Sequence, residues 1–218
     1  MTNYQLETDR IIRSLDHAPT LFLHACCAPC SSYVLEYLAE HFNITLFFYN
    51  PNITEEEEYE KRKNELKRLI SEKPFRHPVK MIDGDYSPQL FFDMAKGKEH
   101  IPEGGERCFL CYEMRLKETA RLAKELQYEY FCTTLSVSPH KNAAKLNELG
   151  AKYSKEYDIP YLYSDFKKRN GYKRSIELSH EYGLYRQNYC GCIYSRMQAE
   201  RKEQEKNFQN EMKTVVKP

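Results

Sequence analysis

The eleven residues TLFLHACCAPC, Thr20 to Cys30, decide how this chain is read. Thr20–His24 is a short apolar run of the length and composition of a buried strand. Cys26, Cys27 and Cys30 follow it at once. Ser31–Phe42 then carries Val34, Leu35, Leu38 and Phe42 inward at helical spacing. A strand that passes through a cysteine-rich turn into a helix is the first half of a strand–helix–strand unit. Its turn lies at the carboxyl end of the strand, where open α/β sheets bind their ligands.

The pattern continues on both sides. Residues 4–15 read as a helix. Ile44–Tyr49 is a second strand, broken by Asn50-Pro51-Asn52, and Thr54 with Glu57 reads as a capping box opening a charged helix to about Glu72. Val79–Ile82 is a third strand, Ser87-Pro88 starts another helix, and a further helix runs from about Cys108 to Leu126. Tyr128–Leu135 is a fourth strand, Lys141–Tyr157 a helix and Tyr161–Tyr163 a fifth strand. Short helices around Cys190-Gly191-Cys192 follow, then an exposed charged tail over 196–218. This alternation predicts one α/β domain over 1–218, three layers around a mostly parallel sheet, with a helical C-terminal part.

Charge narrows the function. There are 33 Lys and Arg against 32 Asp and Glu, a net charge of +1, which excludes a strongly basic nucleic-acid coat but leaves room for a local patch. No run of about 18 apolar residues is present, so no membrane span is expected. The first residues, MTNYQLETDRIIRSL, lack the apolar stretch of a signal peptide, and the expected location is the cytoplasm.

Seven of the eight cysteines fall in three tight groups: Cys26, Cys27 and Cys30; Cys108 and Cys111; Cys190 and Cys192. In a reducing compartment such clusters bind metal or carry redox chemistry. Cys108-x-x-Cys111 has the short bite of zinc and iron–sulfur sites. Together with HACCAPC it offers five thiols for a four-thiol centre. A structural zinc site uses two regular pairs, which the adjacent Cys26-Cys27 and the surplus fit poorly. Cys190-Gly191-Cys192 would close a strained, easily reduced disulfide, suiting a redox-active pair; two extra metal ligands are the other reading. Cys132, inside an apolar strand, reads as core.

At this point the chain resembles the QueH-type epoxyqueuosine reductases. The resemblance rests on His24-Ala25-Cys26-Cys27-Ala28-Pro29-Cys30, Asn50-Pro51-Asn52-Ile53 with Glu58-Tyr59 and Arg62 following, Arg107-Cys108 with Cys111-Tyr112, Arg115-Leu116 and Thr119-Ala120. It continues through Thr133-Thr134-Leu135, Ser138-Pro139-His140-Lys141, Asp165-Phe166-Lys167-Lys168 and Tyr185–Ser195. It implies a Rossmann-related, nucleotide-α-hydrolase-like fold. It also implies a cobalamin-independent oxidoreductase that reduces epoxyqueuosine in tRNA to queuosine, the last step of queuosine biosynthesis. It places the ligands of a 4Fe–4S cluster on Cys26, Cys27, Cys108 and Cys111, with Cys30 as the alternative ligand, and a redox-active disulfide on Cys190 and Cys192.

Further expectations follow from that chemistry. Cys30 and the Cys190/Cys192 thiols can hold a second metal ion, iron or zinc, beside the cluster. His24 is a candidate proton donor. Lys167, Lys168, Arg169, Lys173 and Arg174, with Tyr172 among them, form a candidate tRNA-binding segment. An external electron donor is required. The alternatives are another iron–sulfur tRNA-modifying enzyme and a zinc-stabilised RNA-binding module. An adenylating enzyme would need a glycine-rich phosphate loop where this chain has HACCAPC.

Overall fold

The computed structural model describes the backbone of residues 2–215 and the side chains of residues 2–209. In chain order the elements are α1 (Tyr4–Ser14), β1 (Thr20–His24), α2 (Ala28–Leu38), β2 (Asn43–Phe48), α3 (Glu56–Glu72) and β3 (Val79–Asp83). They continue with α4 (Pro88–Ala95), α5 (Glu106–Glu125), β4 (Tyr130–Thr133), α6 (Ala143–Tyr157), α7 (Gly171–Glu181) and α8 (Ile193–Val215). The four strands form one parallel sheet in the order β3-β2-β1-β4. Connections lead outward from β1 through β2 to β3, then return to the other side of β1 for β4. The reversal falls between β1 and β4, so the crevice beyond their carboxyl ends is the natural ligand position.

The apolar run of β1 divides between two cores. Leu21 and Leu23 pack with α2 and α3, through Val34, Leu35, Leu38, Leu66 and Leu69. Phe22 points to the opposite face, where Phe47 and Phe131 meet Tyr112, Leu116 and Ala120 of α5 and Leu146 and Leu149 of α6. A sheet buried on both faces explains why its central strands are continuously apolar rather than alternating. This is the three-layer α/β fold expected of the sequence.

Four local expectations are corrected. Helix α2 begins at Ala28, not Ser31, with Pro29 in its first turn, so Cys27 becomes the residue that caps it and Cys30 sits in the opening turn. Thr54 makes no capping box: Glu55 precedes α3, and the Thr54 hydroxyl instead accepts the Ile193 N–H (3.1 Å) while its own N–H donates to the Gly191 carbonyl (3.3 Å). A tertiary contact has outcompeted the local one. The fifth strand shrinks to a bridge between Tyr161 and Phe131, because the next backbone groups are taken by side chains: Thr8 donates to the Tyr163 carbonyl (2.6 Å) and the Ser164 N–H donates to Asn147 (2.9 Å). Finally, the segment 196–215 expected as a charged tail belongs to one helix, Ile193–Val215, which contains neither Gly nor Pro to stop it; 216–218 lie outside the described residues.

Candidate metal centre and substrate cleft

The turn after β1 places three thiols together. The sulfurs of Cys26, Cys27 and Cys30 all lie within 4.8 Å of one another, with Cys26 and Cys27 3.7 Å apart. Their protonation is interdependent. Hydrogen bonding with Cys27, then burial, pushes the Cys26 thiol up to about 11. Cys30 is pushed up by both neighbours, whereas their hydrogen bonds draw Cys27 down. Thiolates this close repel one another unless a cation sits among them. A thiophilic metal is such a cation.

A second set comes from α5 and the segment before α8. Cys108 and Cys111 lie one turn apart at the start of α5, where the helix dipole favours negative charge. The Gly104 N–H donates to the Cys108 sulfur at 3.3 Å. Burial pushes Cys111 up to about 12. Cys190-Gly191-Cys192 arrives from the far end of the chain and is docked by Arg62, whose guanidinium donates to the Cys190 carbonyl at 3.0 Å. Gly191 has φ +122°, and a Cβ there would come within 2.9 Å of Ile53, so only glycine fits. Cys108, Cys111, Cys190 and Cys192 border one small cavity of about 10 Å³. All eight cysteines are free thiols, and the expected disulfide between Cys190 and Cys192 is not formed.

The residues around that cavity fit an anionic metal–thiolate group. Arg107 Nη2, Arg115 Nη2 and Tyr112 Oη are buried, find no hydrogen-bond partner among the described residues, and belong to side chains lining the cavity. Buried charges are ordinarily paired or engaged with metal sites. Neither arginine has a carboxylate partner among the described residues; Arg62, the third buried arginine, has Glu58. Lys141, also buried, donates to the Cys190 sulfur (3.0 Å) and to Glu103 (3.1 Å). Burial opposes its charge, but Cys190, Tyr112 and Glu103 outweigh that and hold it well above the ordinary lysine range.

Beside the cavity opens a cleft of about 760 Å³. Glu103, Arg115, Lys141, Cys190 and Ser195 line both, and Cys26 and Cys30 reach the cleft from the first thiol set. Its walls carry the cations Arg186, Lys202 and Lys206, the His140 imidazole and the rings of Tyr172 and Tyr189. None of Lys167, Lys168, Arg169, Lys173 and Arg174 lines it. Lys167 pairs with Asp165, Arg169 with Asp9, Lys173 with Glu177, and Arg174 with Glu36; only Lys168 has no carboxylate partner among the described residues. His24 is fully buried, with Nδ1 against the Thr133 hydroxyl (3.0 Å) and Nε2 against the Tyr49 carbonyl (3.0 Å). Burial holds its pKa down at about 3, so it is neutral and ties β1 to its neighbours rather than offering a proton to the cleft. Cys132 is buried between β1 and Leu162, donating to the Leu162 carbonyl at 3.1 Å, as a core thiol.

Sequence reasoning did not place Arg62, Arg107, Tyr112, Arg115 or Lys141 in the site. Each falls within or beside a motif carrying the resemblance, and that was the available signal; polar type alone pointed to the surface. Among the described residues, no helix is long and apolar enough to cross a membrane.

A model of the epoxyqueuosine reductase QueH family matches residues 21–198. The epoxyqueuosine reductase QueH of Streptococcus pyogenes serotype M1 is 41% identical over 202 residues, 88% of this chain and 79% of the relative. That of Staphylococcus aureus strain Mu50 is 41% identical over 209 residues, covering 91% and 87%. The more distant enzyme of Thermotoga maritima is 33% identical over 192 residues, covering 85% and 95%. The matched span contains both thiol sets and the arginines between them, and the likeness extends along most of the chain: it belongs to the epoxyqueuosine reductase QueH family.

Proposed function

We propose that this protein is a cytoplasmic, cobalamin-independent epoxyqueuosine reductase that acts on tRNA. The observation that carries the reading is the junction of two thiol sets with a cation-walled cleft, sharing Arg115, Lys141 and Cys190. Reducing the epoxide to an alkene takes two electrons and two protons and releases the oxygen as water. The proposed ligands of a 4Fe–4S cluster are Cys26, Cys27, Cys108 and Cys111. The Cys30 sulfur lies within 4.8 Å of those of Cys26 and Cys27, so Cys30 is the alternative ligand or holds a second metal ion, iron or zinc, with Cys190 and Cys192. When bound, these groups supply electrons singly and a Lewis acid for the substrate oxygen.

The chain's own residues do the rest. Cys190 and Cys192 form the proposed redox-active pair; as thiols they hold two electrons and two protons between them. Lys141 keeps positive charge at the cleft floor, where it stabilises negative charge developing on the substrate oxygen. Arg186, Lys202 and Lys206 meet anticodon-loop phosphates, and Tyr172 and Tyr189 offer faces for base stacking. Of the 167–174 segment, Lys168, which has no carboxylate partner among the described residues, is the member proposed to add to that field. An external donor re-reduces the centre. The test is anaerobic: reconstitute with iron and sulfide, reduce with dithionite, and follow tRNA nucleosides by mass spectrometry. Loss of one oxygen from epoxyqueuosine establishes reaction and substrate together; no conversion by protein with a spectroscopically verified cluster and added reductant overturns the assignment.

A further inference from the structure

Three unpartnered buried donors around one thiol-lined cavity are an unusual expense in a core. Leaving a buried hydroxyl or guanidinium N–H unpaired is destabilising, more so when the group is charged. Tyr112 and Arg115 lie one turn apart on α5, on the face that also presents Cys108 and Cys111. The Arg115 Nε–H donates to the Cys111 carbonyl (3.1 Å), which fixes the guanidinium and leaves Nη2 without a partner. Arg107 is anchored likewise: Nη1 donates to the carbonyls of Lys98 (3.1 Å) and Glu99 (2.8 Å), and Nη2 is left over. Each side chain is held by the backbone so that one donor stays unspent.

We infer that Arg107, Tyr112 and Arg115 form a donor cage for the thiolate-ligated metal group, and that Tyr112 and Arg115 set its reduction potential. The inference rests on the metal-centre reading above. A metal–thiolate group carries net negative charge and gains another on reduction. Hydrogen bonds to its sulfurs and a buried cation beside it favour the reduced form and raise the potential. These are positioning residues: they act through the metal group, and no proton or electron passes through them.

The test uses full-length Tyr112→Phe, Arg115→Gln and Arg115→Lys. Iron content, midpoint potential by anaerobic dye-mediated titration, and melting temperature with and without metal are measured for each. Expected are potentials more negative than wild type at equal iron content, with R115Q shifted further than Y112F and R115K between R115Q and wild type. The metal-free protein supplies a readout of opposite sign. There the Tyr112 hydroxyl is a buried donor without a partner, so Y112F melts no lower than wild type, while the metal-loaded Y112F melts lower. Potentials equal to wild type at full iron content overturn the inference, as does a metal-free Y112F that is less stable than metal-free wild type. Should R115Q fail to fold, Y112F decides alone. A wild-type chain that takes up no iron under reconstitution overturns the metal reading itself, and this inference with it.

Discussion

Two groups of cations in this chain reverse their apparent importance between the sequence and the fold. Lys167, Lys168, Arg169, Lys173 and Arg174 form a dense run that reads as a nucleic-acid patch. Four of the five have a carboxylate within 4.0 Å. Arg62, Arg107, Arg115 and Lys141 are scattered over 80 positions of sequence, yet they gather around the thiols, and Arg107 and Arg115 have no carboxylate partner among the described residues. Charge density along a chain is therefore a poor guide to available charge. What counts is whether each cation meets an acid once folded, and how far burial strengthens what remains.

The contrast can be broken at the thiols first. Cys108→Ser removes a ligand from the centre that the buried cations face; it should abolish both metal retention and epoxyqueuosine reduction, read by iron analysis and nucleoside mass spectrometry. Full activity in that variant would remove the reason for the cations to be there. Next in size is Gly191→Ala. With φ +122° and Ile53 in the way, the added methyl should cost about 1–3 kcal/mol of stability and displace Cys190 from Lys141, with a large loss of turnover. Denaturant melts beside activity assays check it, and wild-type values in both would show that the segment is not held as described.

Smaller effects separate free from neutralised charge directly. Charge reversal at Arg186 and Lys202, which line the cleft, should weaken tRNA binding and lower the slope of log affinity against log salt by about 0.7 per lost phosphate contact. Reversal at Lys173, which pairs with Glu177, should leave that slope unchanged. The opposite ranking, by filter binding at several salt concentrations, would restore the basic run as the RNA contact. The smallest effect belongs to Arg174→Ala. Burial raises the Glu36 pKa, but hydrogen bonds from Arg174 and Lys73 outweigh it and leave the carboxyl below its ordinary value. A depressed carboxyl stabilises the fold above its unfolded pKa, about 4.3, and the contribution fades as pH falls through the folded value. R174A should therefore cost under about 1 kcal/mol at pH 7, this being a half-exposed pair, with the difference from wild type shrinking in acid.

Much of the fold was legible. The apolar runs of β1 and β2 announce a doubly buried sheet, and Cys26, Cys27 and Cys30 are close in space because they are close in sequence. Less was visible at element ends. Thr54 with Glu57 satisfies every local rule for a capping box, yet Thr54 binds Gly191 and Ile193 instead, about 140 residues away. The Tyr161–Tyr163 run stops pairing after one bridge because Thr8 and Asn147 claim its backbone. His24 looked like an acid beside the thiols until both ring nitrogens and its complete burial were seen.

The sequence by itself determined what short-range chemistry can specify: the layered α/β class, three thiol groups at metal-ligand spacing, and their family. Only the tertiary structure decided which groups meet. It brought Cys108 and Cys111 to the same cavity as Cys190 and Cys192, set Lys141 against Cys190, and left Arg107, Tyr112 and Arg115 each with a donor to spare. The reason is physical. Periodicity and spacing act over one or two turns of chain, whereas burial and hydrogen-bond pairing are properties of neighbours that only the closed fold supplies.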